Sequence, residues 1–235
     1  NADLVRELRA AVTARDDMLS IVSHDLRNPV NAVKMLASAT LRAHDALPLP
    51  SDVARHAEVM LQAARQMDSL IQDLLDVSKL ESGRMAVSPR VVGVGELVSL
   101  AAQALMPLAA EAQVSLQLAL SGVLPMVDVD PDRIAQVLSN LIGNGIKYTP
   151  AGGEVRVSAE SDRDIVRITV TDTGVGIPEQ ELPRVFDRFW QSKRTNRSGA
   201  GLGLAIARGI VRAHGGRIWI ESTVGRGTKV YFTVP

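Results

Sequence analysis

Ile165-Val166-Arg167-Ile168-Thr169-Val170-Thr171-Asp172-Thr173-Gly174-Val175-Gly176-Ile177 reads as a strand that ends on a carboxylate and a glycine turn. Val166, Ile168 and Val170 fall on every second position, the period of a strand with one covered face. Past Asp172 the glycines let backbone approach a flat group closely. Thr228–Val234 alternates in the same way, and further β-like runs lie at Val114–Leu120, Glu154–Ala159 and Arg217–Glu221. Between them Val94–Glu111, Arg133–Lys147, Glu179–Phe189 and Leu202–Ala213 read as helical. Antiparallel hairpins with helices on one face make an α+β two-layer sandwich.

Toward the N-terminus the period changes. Val5, Leu8, Val12, Leu19, Val22, Leu26, Val33 and Leu36 fall alternately three and four apart, with Arg15 and Pro29 in the remaining seam positions. That is the narrow seam of a coiled coil or helix bundle. Pro48 and Pro50 stop the first helix, Ser51 or Asp52 can cap the next, and Met60, Ala64, Met67, Ile71 and Leu74 continue the seam toward Gly83. A hairpin with one apolar seam cannot bury it alone, so two copies pairing into a four-helix bundle is the expected solution. The expected domains are residues 1–84, with 1–18 as an entering coiled coil, and residues 85–235.

Bulk composition narrows the chemistry. Lys plus Arg equals Asp plus Glu at 26 each, which gives no general attraction to nucleic acid or an anionic membrane. Any phosphate chemistry therefore comes from a local site. Cysteine is absent, which excludes disulfides, thiolate catalysis and Cys-ligated zinc. No apolar run is long enough to cross a bilayer. The chain begins Asn1-Ala2-Asp3 inside a helical pattern, so the expectation is a cytoplasmic piece of a longer protein whose parent is free to carry a membrane anchor.

His24 follows the seam position Val22 by two residues, which places it outward on the helix. Asp25 beside it can take or orient the imidazole proton, leaving the other ring nitrogen as a nucleophile. Asn28, one turn on, shares its face and could position a water. In the second half, Asn140 and Asn144 share a helix face, with Lys147 and Tyr148 next along. Amide oxygens suit a magnesium ion already held by phosphates, Lys147 supplies a point charge, and Tyr148 could stack on a ribose or base. Asp172 could accept from an exocyclic amine. Gly199-Ala200-Gly201-Leu202-Gly203 opens directly into a helix, whose free N–H groups suit phosphate. Arg188, Lys193, Arg194 and Arg197 read as a mobile basic lid. Gly225-Arg226-Gly227-Thr228 is a tight turn between the last strands.

HDLRNP (24–29), SNLIGNGIKYTPAGG (139–153), DTGVGIP (172–178), VFDRFW (185–190), GAGLGLAIARGIVRAHGG (199–216) and VGRGTKVYFTVP (224–235) occur in an order and at spacings that resemble two-component sensor histidine kinases. They are similar, in turn, to that family's phospho-acceptor box, asparagine box, first glycine box, phenylalanine box, second glycine box and closing turn. The resemblance implies a dimeric histidine-phosphotransfer hairpin followed by a Bergerat-type ATP-binding sandwich. It implies ATP and Mg2+ as cofactors, and a homodimer and a response regulator receiver domain as partners. His24 becomes the phospho-acceptor, Asp25 its acid/base partner and Asn28 the amide that assists dephosphorylation of the regulator. Asn144 becomes the magnesium ligand and Asp172 the adenine reader. Asn140, Lys147, Tyr148, Gly174, Gly176, Ile177, Arg188, Gly199, Gly201, Leu202, Gly203 and Thr228 become the rest of the ATP site. One departure stands in the asparagine box: Gly145 replaces the usual alanine, a cost of up to ~1 kcal/mol in a helix interior that softens the helix without removing a ligand. A gyrase-like ATP-driven clamp would need a glutamate in the asparagine-bearing helix, and residues 133–147 contain none.

Overall fold

A computed structural model of the chain describes residues 23, 26–43, 51–83, 85–120, 122, 124–162, 165–192 and 200–235. It divides into two compact units, Asn1–Arg84 and Met85–Pro235.

Among the described residues the first unit holds two helices, α1 (residues 26–43) and α2 (Ser51–Glu81). Helix α1 runs on through Pro29. The expected seam residues before Leu26 lie outside the described residues. Within one protomer the helices meet through small side chains: Val30 packs with Ala64 and Ile71, and Ala37 and Ala57 are buried as well. Arg27 crosses between them, its Nε donating to Asp68 Oδ1 at 3.3 Å and its Nη2 to Gln72 Oε1 at 3.2 Å. The heptad residues Leu26, Val33, Leu36, Met60 and Met67 stay exposed, Leu36 at 65 %. The hairpin therefore uses only part of its apolar surface internally.

The second unit is a sheet with helices on one face. In chain order it contains β1 (Arg90–Gly93), α3 (Val94–Glu111), β2 (Ser115–Leu120), β3 (Met126–Val129) and α4 (Pro131–Tyr148). Then follow β4 (Glu154–Asp162), β5 (Ile165–Asp172), α5 (Gly203–Ala213), β6 (Ile218–Thr223) and β7 (Gly227–Val234). The five-stranded sheet has the order β2-β4-β5-β7-β6. Its inner face is the expected period-two set, Val155 and Val157, Val166, Ile168 and Val170, and Val230, Phe232 and Val234, all buried. Against it lie Val98 and Ala102 of α3, Val137, Leu138 and Leu141 of α4, and Ile206 and Ile210 of α5.

One expectation needs correction, and two strand pairings were not foreseen. Glu179–Phe189 is not a helix: only Leu182–Arg184 forms one 3-10 turn. Pro178 and Pro183 withhold backbone N–H groups, and Phe189 takes φ +59°, which no helix continues through. Beside the expected antiparallel pairs, β2 pairs with β4 in parallel, Leu116 beside Val155. A second sheet, β1 with β3, was not foreseen, since four-residue strands carry too few positions to display a period.

Candidate functional site

The central strand β5 delivers Asp172 at its C-terminal end, between β4 and β7. Asp172 Oδ1 accepts the N–H of Gly174 at 2.8 Å and of Thr228 at 3.2 Å. Among the described residues both hydrogen bonds to this carboxylate fall on Oδ1. Burial pushes its carboxyl above the usual range, while those two N–H groups pull it down.

The loop after Asp172 is clamped on two sides. Val175 N–H donates to the Tyr148 carbonyl at 3.2 Å, and the Val175 carbonyl accepts Gly225 N–H at 2.9 Å. Ile177 N–H donates to Ser222 Oγ at 2.8 Å, and that hydroxyl also meets Thr228 Oγ1 at 2.9 Å. Gly174 passes so near Tyr148 that a Cβ would stand 2.5 Å from its carbonyl oxygen. At Gly176, with φ +69°, a Cβ would collide with the Thr223 carbonyl.

Helix α4 supplies the amides. Asp130 caps its start through Arg133 N–H, and Pro131 needs no hydrogen bond there. Asn140 and Asn144 lie one turn apart and half-buried, and Lys147 Nζ stands 4.6 Å over the Tyr148 ring. The Asn140 amide donates to the Gly203 carbonyl at 3.2 Å. Gly145 is where α4 comes near β4: an alanine Cβ would meet both Val155 methyls at 3.2 Å.

Gly201, with φ +72°, sits under Trp190, whose carbonyl would be 2.6 Å from a Cβ. Leu202 is buried, and among the described residues no side chain caps α5, which starts at Gly203, so the N–H groups of its first turn suit an anion. Arg188 is exposed, between the two glycine segments in sequence. The donor set thus suits a magnesium nucleotide: a carboxylate for an amine, amide oxygens for a hard cation, and a helix N-terminus for phosphate.

The structure brings together Asp172, Gly174, Ile177 and Thr228, links them through Tyr148 to α4, and links Asn140 to Gly203. Asn28 is exposed on α1. His24, Asp25, Lys193, Arg194, Arg197 and Gly199 lie outside the described residues. Sequence reading overlooked Ser222 and gave His214 no role, whereas its buried ring accepts the Asp130 N–H. Ser222 faces Thr228 across β6 and β7, and only the strand register reveals that.

Two family models match this chain. Residues 14–83 match the His Kinase A (phospho-acceptor) domain, and residues 129–235 match the histidine kinase-, DNA gyrase B- and HSP90-like ATPase domain. The chain belongs to the two-component sensor histidine kinases. Among curated histidine kinases it is 38 % identical over 232 residues to the adaptive-response sensory kinase SasA of Synechococcus sp. (strain JA-3-3Ab), covering 97 % of this chain and 61 % of SasA. It is 34 % identical over 226 residues to the sensor histidine kinase WalK of Bacillus subtilis (strain 168), covering 94 % of this chain and 36 % of WalK. The chain therefore spans less than two thirds of these relatives' length. The crystal structure of full-length ShkA in complex with AMPPNP matches at TM-score 0.78 and 29 % identity, over 93 % of this chain and 45 % of ShkA. The histidine kinase catalytic domain of ThkA matches at TM-score 0.57 and 29 % identity, over 63 % of this chain and 95 % of that one. Among the described residues no helix is long and apolar enough to cross a membrane.

Proposed function

We propose that this histidine kinase core uses ATP to phosphorylate His24 and then passes the phosphoryl group to an aspartate of a response regulator receiver domain. The observation that carries the reading is the joining of Asp172, Thr228, the glycine loop and α4 by hydrogen bonds, within a chain whose other family domain is a phospho-acceptor. In this reading Asp172 Oδ2 accepts from the adenine amine, and the loop Gly174–Ile177 lies along the base. Asn144, with Asn140 and Lys147 near, holds Mg2+, which neutralises phosphate charge when bound. Phosphoryl transfer asks mainly for positioning and charge neutralisation. Gly199 to Gly203, the first turn of α5 and Arg188 face the phosphates. The unprotonated ring nitrogen of His24 attacks the γ-phosphorus, the bond to the β–γ bridging oxygen breaks, and ADP leaves with that electron pair. Asp25 holds the proton of the other nitrogen. Asn28, exposed one turn on, would orient water for hydrolysis of the regulator's phosphoaspartate. Two copies pair through the helical hairpin, and the site faces the cytoplasm, where ATP and receiver domains are found.

Incubating the chain with γ-labelled ATP and Mg2+ tests this directly. The expected result is an acid-labile label on the wild type, absent in His24→Gln and transferable to a receiver domain. No label on the wild type, or full label on His24→Gln, overturns the reading.

A further inference from the structure

Helices α4 and α5 line the candidate site, run antiparallel and are joined by a hydrogen bond near each end of α5. At one end the Asp130 backbone N–H donates to His214 Nε2 at 3.0 Å. At the other the Asn140 amide donates to the Gly203 carbonyl at 3.2 Å. Asp130 to Asn140 and Gly203 to His214 are matching lengths of helix, about 15 Å each. The buried side chains that the two packed helices carry between these ties are apolar: Ile134, Val137 and Leu138 on α4, Ile206, Ile210 and Val211 on α5. Apolar contact is non-directional and accepts a small slide, whereas a hydrogen bond weakens steeply off its geometry.

The chemistry of His214 at this point is determined by its partners. The ring is buried, and Nδ1 lies 2.8 Å from the Ile210 carbonyl one turn earlier. A carbonyl only accepts, so Nδ1 carries the proton; a backbone N–H only donates, so Nε2 carries none. The Asp130 carboxylate, on the donor residue itself, is engaged elsewhere: Oδ1 accepts Arg133 N–H at 3.1 Å and Oδ2 accepts Ser88 N–H at 2.9 Å. Arg212, on α5 itself, is exposed. His214 is thus a neutral acceptor with a single role toward α4.

We infer that His214 is a positioning residue that sets the register of α5, whose first turn faces phosphate, against α4, which carries Asn144. The inference rests on the nucleotide reading of the site. Without the acceptor, the Asp130 N–H loses its partner at a buried position and α5 loses the hydrogen bond at its C-terminal end. Loosening then reaches Gly203, because the helix transmits it as a rod to the remaining tie.

The test uses the 235-residue chain with His214→Leu, which fills the space without an acceptor, and His214→Gln, whose side-chain carbonyl can stand where Nε2 stands. Two readouts are taken: affinity for a fluorescent ATP analogue, and amide exchange of Gly203–Ile206 without nucleotide. For His214→Leu, affinity is expected to fall about tenfold and exchange at the first turn of α5 to rise, with His214→Gln returning both to within about threefold of wild type. Nitrogen shifts of the wild-type imidazole should report the neutral ring protonated at Nδ1. The proposal is overturned if His214→Leu changes exchange only around Asp130, leaving affinity and Gly203–Ile206 as they were. It is equally overturned if His214→Gln behaves as His214→Leu. If wild-type protein binds no analogue, the nucleotide reading fails, and exchange at Gly203–Ile206 alone judges the clasp.

Discussion

Asp172 illustrates how much rests on single atoms. One carboxylate oxygen organises the protein by accepting from Gly174 and Thr228, and the other is the one proposed to meet the adenine amine. Asp172→Asn separates these duties, since an amide oxygen can keep the first and an amide nitrogen cannot accept for the second. The expected outcome is a loss of about 10- to 100-fold in ATP affinity, the value of a hydrogen bond to a charged group. The unfolding midpoint should stay within a few degrees of wild type. Titration with a fluorescent analogue and a thermal melt check both, and a large loss of stability with unchanged affinity would refute the division of roles. Asp172 was legible in the sequence because it ends an alternating run. Ser222 was not, since a serine in a strand acquires meaning only from the neighbour that register places opposite it.

At the scale of elements, α4 shows why a local reading can mislead. Helix propensity alone makes Gly145 a weakness, improvable by about 1 kcal/mol on replacement with alanine. Packing opposes that gain, because both Val155 methyls would lie 3.2 Å from the new Cβ, tighter than ordinary contact. Gly145→Ala should therefore return clearly less than the propensity gain in the wild-type background, and more of it when Val155→Ala makes room. A double-mutant cycle by denaturant unfolding measures this coupling, and additive effects would show that Val155 plays no part. The Glu179–Phe189 segment makes the same point from the other side. Its composition allows a helix, but its prolines and the left-handed backbone at Phe189 produce turns. By contrast the α5 boundary was readable to within a residue, since glycine followed by an apolar 3.6-period announces a helix start.

For the whole molecule, the helical hairpin is the part that one copy leaves unfinished. Val33 and Leu36 are expected seam residues, yet in a single protomer they remain exposed while Val30 and Ala37 face inward. Placing Glu at both Val33 and Leu36 should convert a dimer to a monomer at micromolar concentration, measured by light scattering. Because neither side chain supports the protomer's own core, helicity by circular dichroism should hold. A monomeric wild type, or a variant that stays dimeric, would rule this surface out. By itself the sequence determined the period of each segment, and through it a helical pair followed by a sheet with one covered face; it also offered the residues proposed to carry nucleotide chemistry, because side-chain type and spacing are local properties. Only the tertiary structure decided the parallel β2–β4 pairing, the β1–β3 sheet, the close approach of Val155 to Gly145, and His214 as the partner of Asp130. Those depend on which distant backbone comes to lie opposite, and that is set by burying all the apolar faces at once rather than by any one stretch of chain.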